Sequence, residues 1–228
     1  MMELDDDIII IDTETTGFDF NDDKVIEIAA MKVNTEWEIV DTFEQLIDPK
    51  RDIPPESSAI HHLTARDLVD KPTMEEVYPA LKEFVGNTVL VAHNAPFDSG
   101  MLPELDNNWL CSLRLARHLW PKQSHKMQSL RYWLGLIDID LRGLAPHRAL
   151  ADIIVTLEVF KKMIDQYGDT PVDELMDYVN GPITVELMPF GKHRGEPLVA
   201  VPRSYKTWAL NNIDDMDPDL RWSIEKTL

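Results

Sequence analysis

Four carboxylates and one histidine, gathered in three short clusters, carry the chemistry legible in this chain. They are Asp12 and Glu14 in Ile11-Asp12-Thr13-Glu14-Thr15-Thr16-Gly17, Asp98 in His93-Asn94-Ala95-Pro96-Phe97-Asp98, and His147 with Asp152 in His147-Arg148-Ala149-Leu150-Ala151-Asp152. Residues two apart on a strand project from one face, so Asp12 and Glu14, at the end of the apolar run Ile8-Ile9-Ile10-Ile11, can reach the same ion. His147 and Asp152 are five positions apart, about 140° around a helix, so His147 must precede the helix that carries Asp152. An aspartate beside the apolar stripe of a helix needs a partner, because a lone buried charge is costly. Acids that converge are stable when hard divalent cations neutralise them, and two such cations can clamp the attacking and leaving oxygens of a phosphodiester. The chemistry implied is metal-dependent phosphodiester hydrolysis.

Taken in order, Asp-x-Glu, His-Asn-Ala-x-Phe-Asp and His-x-Ala-x-x-Asp resemble the three motifs of the DEDD exonuclease family, which includes the proofreading subunit of bacterial DNA polymerase III. His147 marks the histidine branch, DEDDh; tyrosine-type relatives carry Tyr at the place of Arg148. The segment Ala59-Ile60-His61-His62-Leu63-Thr64 looks like the family's wall against the terminal nucleotide, with His62 where relatives commonly have Gly. Cys111-Ser112 stands where many have Asp-Thr. The tail Phe190-Gly191-Lys192-His193-Arg194-Gly195, with Trp208 and Pro218-Asp219-Leu220-Arg221, is similar to the C-terminal region of the bacterial exodeoxyribonuclease X group.

That resemblance implies a 3′-5′ exodeoxyribonuclease that releases nucleoside 5′-monophosphates from DNA 3′ ends, single-stranded or duplex, in DNA repair; the single cysteine points to a cytoplasmic location. Two Mg²⁺ or Mn²⁺ ions are expected, with Asp12 bridging them, Glu14 and Asp152 completing the first and Asp98 holding the second; His147 would take the proton of the attacking water. Thr15, Thr16, Gly17, Ile60, His61, Asn94 and Phe97 are the expected substrate contacts, and Lys192 and Arg194 the expected DNA contacts of the tail. Glu27 reads as a strand residue that supports the site through hydrogen bonds. Two other activities fit the same fold: an exoribonuclease trimming RNA ends, and a tethering module, which predicts a damaged motif where this chain has all five residues. Whether the chain forms a homodimer stays open.

The elements that must position these groups are those of an α/β protein, and the resemblance implies a ribonuclease H-like five-stranded mixed sheet flanked by helices, with a small C-terminal α+β appendage. Apolar runs predict strands over 8–12, 25–33 and 37–47, then 89–92 and 109–112. Helices are expected from Ser57-Ser58 toward His62, over 65–69 behind Thr64, and behind the capping box of Thr73 and Glu76. Others follow over 96–105, 113–120 and 127–134, and a long one after Pro146 carries the stripe Leu150, Ile153, Ile154, Leu157 and Phe160. Residues 1–168 read as the catalytic domain and 169–182 as a linker punctuated by Gly168, Pro171, Gly181 and Pro182. The unit over 183–228 is expected to hold strands at 183–188 and 198–201 and helices at 204–211 and 218–228.

Composition bounds these readings. Of 228 residues, 44% are hydrophobic and 28% charged, as in a folded globular protein. The acidic Asp5-Asp6-Asp7 before the first apolar run is the reverse of a basic leader, so no membrane segment is expected. A single cysteine, Cys111, excludes an internal disulfide and fits a reducing compartment. The net charge of −19 opposes the counterion release on which duplex binding usually rests, although bound cations would offset it locally. Residues 185–210 lean the other way, with Lys192, Arg194, Arg203 and Lys206 against Glu186 and Glu196.

Overall fold

The computed structural model describes residues 6–141, 143–168 and 170–228. Ile8, Ile9, Ile10 and Ile11 are all buried, as an apolar run without alternation must be when both faces of its strand are covered. They begin β1 (Ile8–Thr15), the middle member of a five-stranded sheet ordered β3-β2-β1-β4-β5. β2 (Val25–Val33) and β3 (Ile39–Leu46) add to it as an antiparallel meander. On the other side β4 (Val89–Ala92) lies parallel to β1, and β5 (Trp109–Cys111) parallel to β4.

Helices α1 (Pro55–His61) and α2 (Met74–Val85) make the crossover from β3 to β4, and α3 (Ala95–Met101) links β4 to β5. Then come α4 (Ser112–Leu119), α5 (Met127–Trp133), α6 (Ala149–Tyr167) and α7 (Val172–Asn180). This is the expected mixed sheet of a ribonuclease H-like fold. α6 packs across β1 and β2 and is buried along most of its length; its Phe160 ring meets Trp37 at 6.0 Å. Each such fully buried Ile, Leu or Phe contributes about 1.5–3 kcal/mol, which anchors the helix whose first turn carries Asp152. Val172, Leu175 and Val179 of α7 join the same core.

Two local expectations fail for physical reasons. Residues 65–69 form turns instead of a helix: the Asp67 carboxylate accepts from both the amide and the hydroxyl of Thr64, closing one turn, and Asp70 then adopts φ +60°. The chain divides into two compact units, Met1–Val179 and Asn180–Leu228, and in the second the runs 183–188 and 198–201 do not become strands. In the first run side chains take the amides a ladder would have used, Asp219 that of Ile183 and Ser223 that of Val185, and 198–201 turns back on the Pro197 carbonyl, which leaves a single antiparallel bridge between Leu187 and Pro197 among the described residues. Helices α8 (Arg203–Asn212) and α9 (Pro218–Lys226) supply the rest, around a small core that includes Met188, Leu198, Val201, Leu220 and Ile224. Among the described residues no helix is long and apolar enough to cross a membrane.

Candidate active site

β1 outruns its parallel neighbour: the β1–β4 ladder ends at the pair Ile10 and Val91. Beyond it, Asp98 of α3 serves as the missing partner, its Oδ1 accepting from the Thr13 amide at 3.1 Å and the Thr13 hydroxyl at 2.8 Å. Asp98 is thereby fixed beneath the strand from which Asp12 and Glu14 project, although 85 residues separate it from Thr13. Burial pushes the Asp98 carboxyl up to about 7, against the downward pull of the Thr13 bonds.

The third cluster arrives as its spacing required. His147 stands ahead of α6 with φ +62°, and Arg148 is the N-cap. That left-handed turn aims the His147 amide at Asp152 Oδ2 (3.2 Å) and sets its ring Nδ1 3.9 Å from the same oxygen. Gln128 donates to the other oxygen at 3.4 Å. Glu14, His147 and Asp152 each offer a ligand atom, all within 4.8 Å of one another. Burial, then the Asp98, Glu14 and Asp152 charges, hold Asp12 well above the usual carboxylate range. Burial and Asp152 raise Glu14 to about 8, and burial raises Asp152. Such a cluster must either keep protons or gain cations. Its all-oxygen acids with one imidazole fit Mg²⁺ or Mn²⁺ better than a softer metal.

A neighbouring ion pair shapes this site. Glu27 lies directly across the β1–β2 ladder from Glu14, fully buried. Its carboxylate accepts from Arg148 Nε at 3.0 Å, from an Arg148 terminal nitrogen at 2.6 Å and from the Ala149 amide at 3.1 Å. Glu27 thus caps α6 and fixes Arg148, the residue next to His147, while Arg148 neutralises the charge opposite Glu14. Glu27→Gln is expected to destabilise the fold by about 3 kcal/mol, because it strands a half-buried guanidinium. It should also slow hydrolysis by displacing His147. Arg148→Lys keeps the charge but loses the planar fork, so its loss should be smaller. Melting curves and kcat for both variants check this ordering.

Asp12, Glu14, Thr15, Gly17, Ile60, His61, Phe97, His147 and Asp152 line one cavity of about 340 Å³. Thr16 does not: it is buried, and its hydroxyl donates to Asp23 at 2.8 Å. That aspartate organises the β1–β2 loop and crowds Gly17, where a Cβ would fall 2.3 Å from its carboxylate. Asn94 is likewise absent from the wall; it is the exposed, left-handed N-cap of α3 (φ +82°). Lys192 and Arg194 belong to the second unit.

Three wall residues went unread in the sequence: Thr13, Ser57 and Phe18. Phe18 is 78% exposed with its ring 5.8 Å from Phe97, and its only signal was an aromatic next to Gly17. His61 is buried; its Nδ1 accepts from the Leu63 amide, which leaves the ring proton on Nε2, and Nε2 has no partner among the described residues. His62, the C-cap of α1, has φ +62°, the left-handed conformation that favours glycine.

A family model described as exonuclease matches residues 9–160. Exodeoxyribonuclease 10 of Escherichia coli (strain K12) is 35% identical over 222 residues, spanning 96% of this chain and 97% of that protein. The chain belongs to the DEDDh exonuclease family. As a DEDDh exonuclease it is a nuclease, a hydrolase of phosphodiesters, and the likeness to exodeoxyribonuclease 10 extends into the second unit. The PolC-type DNA polymerase III of Clostridium perfringens (strain 13 / Type A) is 37% identical over 199 residues, 82% of this DEDDh chain but 13% of that longer protein. A solved structure of exonuclease X in complex with 5′ overhanging duplex DNA matches with a TM-score of 0.67 at 35% identity, over 76% of this chain and 99% of that one. E. coli exonuclease I with a dT13 oligonucleotide shares the fold, with a TM-score of 0.60 at 18% identity.

Proposed function

We propose that this chain is a metal-dependent 3′-5′ exodeoxyribonuclease that releases nucleoside 5′-monophosphates from DNA ends, by a two-metal mechanism, in DNA repair. The observation that carries the proposal is that Asp12, Glu14, His147 and Asp152 line one cavity large enough for one nucleotide, with Asp98 buried on Thr13 close enough to raise Asp12. Asp12, Glu14, Asp98 and Asp152 would hold two Mg²⁺ or Mn²⁺ ions. When bound, the ions neutralise the acids and withdraw charge from the scissile phosphate. The exposed His147 ring, on its turn outside α6, is the group free to take a proton from the attacking water. Phe97, Phe18 and Ile60 give the terminal base apolar surface, and His61 Nε2–H is a donor waiting for an acceptor. The DNA in the exonuclease X complex and the name of exodeoxyribonuclease 10 favour DNA over RNA.

The test uses 3′- and 5′-labelled DNA and matched RNA strands with Mg²⁺. Mononucleotides should leave from the 3′ end of DNA, and His147→Ala should lose about 10²–10⁴ in rate. Release from the 5′ end, faster loss of RNA, or full activity in His147→Ala would each refute the assignment.

A further inference from the structure

The second unit separates its charges along the chain. It holds six Lys and Arg against seven Asp and Glu, yet between residues 187 and 213 the one acid is Glu196; the rest of its acids, apart from Glu186, follow from Asp214 onward. Glu196 is already engaged, its Oε2 2.9 Å from His193 Nδ1. Of the four cations in that stretch, Lys206 is buried with its ammonium on the Thr227 carbonyl. Lys192, Arg194 and Arg203 are exposed and form no ion pair among the described residues.

An aromatic platform lies beside Lys192, with Arg194 just after the same turn and Arg203 at the start of α8. The turn Gly191–His193 is pressed against α8 so closely that a Cβ on Gly191 (φ +66°) would fall 2.1 Å from the Tyr205 hydroxyl. The His193 ring meets Tyr205 edge-on at 4.7 Å, and Lys192 Nζ sits 5.4 Å from the centre of the same ring. One turn along the helix, Trp208 lies 5.4 Å from Tyr205, tilted by 33°, with 49% of its surface open to water. Tyr205 and the turn hold Trp208 and the nearby cations on a shared, rigid support.

A polymer with an anion at every residue and an uncovered π-face beside it matches such a surface. Single-stranded DNA offers both, whereas a duplex hides the faces of its bases. The need is evident from the charge of the whole chain: at −19, attraction of a polyanion outside the metal site must come from a local basic face. We propose that Lys192, Arg194, Arg203 and Trp208 form a second binding surface for single-stranded DNA, with phosphates on the cations and a base on the indole. This rests on DNA being the substrate, and it assigns the second unit the task of holding strand that the cleavage cavity does not.

Binding of a fluorescent dT20 to the full chain, measured by anisotropy in EDTA across a salt series, tests it. Lys192→Ala/Arg194→Ala should weaken binding and flatten the slope of log affinity against log salt by about 1.4, two phosphates at roughly 0.7 each. Trp208→Ala should weaken binding about tenfold and Trp208→Phe should restore it. Hydrolysis of the small ester thymidine 5′-(p-nitrophenyl phosphate), which needs only the cavity, should be unchanged in all three variants. Unchanged affinity and slope in the double variant, an equal response to Trp208→Ala and Trp208→Phe, or a variant effect confined to a matched RNA strand would overturn the proposal. A wild-type chain that hydrolyses neither ester nor DNA would instead overturn the cleavage assignment, and the binding comparison would still decide this one.

Discussion

Asp12→Asn is expected to lose about 10³-fold or more in hydrolysis of a 3′-labelled strand while making the metal-free protein harder to melt. Both effects have one origin. Asp12 is half-buried beside Asp98, Glu14 and Asp152, which hold its carboxyl well above the usual range, so its charge is unfavourable without cations and is relieved by them. Asparagine has the same shape and leaves no cavity, and it removes a group that the metal-free cluster can hold only at the cost of a repelling charge or a bound proton. The rise in Tm on adding Mg²⁺ should shrink in the same variant, because stabilisation by a ligand follows its affinity for the folded state. A residue that merely packed the strand would show the opposite pattern, with lost stability and retained activity. Scanning calorimetry with and without Mg²⁺, alongside the rate, separates the two.

The second large effect is on stability against pH. In the metal-free protein Glu14 titrates at about 8 and Asp98 at about 7, both above their values in an unfolded chain. The folded state therefore keeps protons that the unfolded state has given up. The stability these groups contribute is full below the unfolded carboxylate range and is lost as pH rises through 7 and 8. His93 works in the other direction. Burial holds it down at about 4, its ring nitrogens engaged by the Ser112 hydroxyl and the His125 carbonyl, so it costs stability as pH falls from the ordinary histidine range toward 4. Metal-free protein should thus be most stable in mildly acidic buffer and lose on the order of 10 °C in Tm between pH 6 and 9. Saturating Mg²⁺ should erase most of the alkaline loss, since cations replace the protons. If the Mg²⁺-induced shift in Tm were no larger at pH 8.5 than at pH 6, the acid cluster would not be where the metal binds.

Groups that act through a short motif were legible in the sequence. Asp12 and Glu14 share a strand face and His147 precedes its helix because local periodicities allow nothing else, and the coordinates place them so. Groups whose meaning depends on a distant partner were not. Glu27 was readable as a supporting strand residue, but its partner Arg148 is 121 residues away and showed only as the residue replacing a tyrosine. Thr16 and Asn94 lie inside motifs yet serve the backbone, one tying a loop to Asp23 and the other turning the chain into α3. The false strands of the second unit have a similar cause. In 183–188 the alternation was real, but Asp219 and Ser223, more than thirty residues further on, claimed the amides, and 198–201 closed into a turn on the Pro197 carbonyl.

The strand that bears Asp12 and Glu14 is the middle member of the sheet, paired with β2 along its length and with β4 as far as Ile10, and Asp98 grips it at Thr13 where β4 stops. Fraying in a folded protein begins at rims and ends, where few bonds need to open, and it reaches such a strand last. The two carboxylates proposed as the first ligands therefore sit on a strand end held from both sides, by the β2 ladder and by the Asp98 clamp on Thr13. The catalytic apparatus will not drift out of shape by degrees as temperature rises; it survives whole until its domain unfolds, so residual turnover after heating counts surviving molecules rather than gauging partial damage.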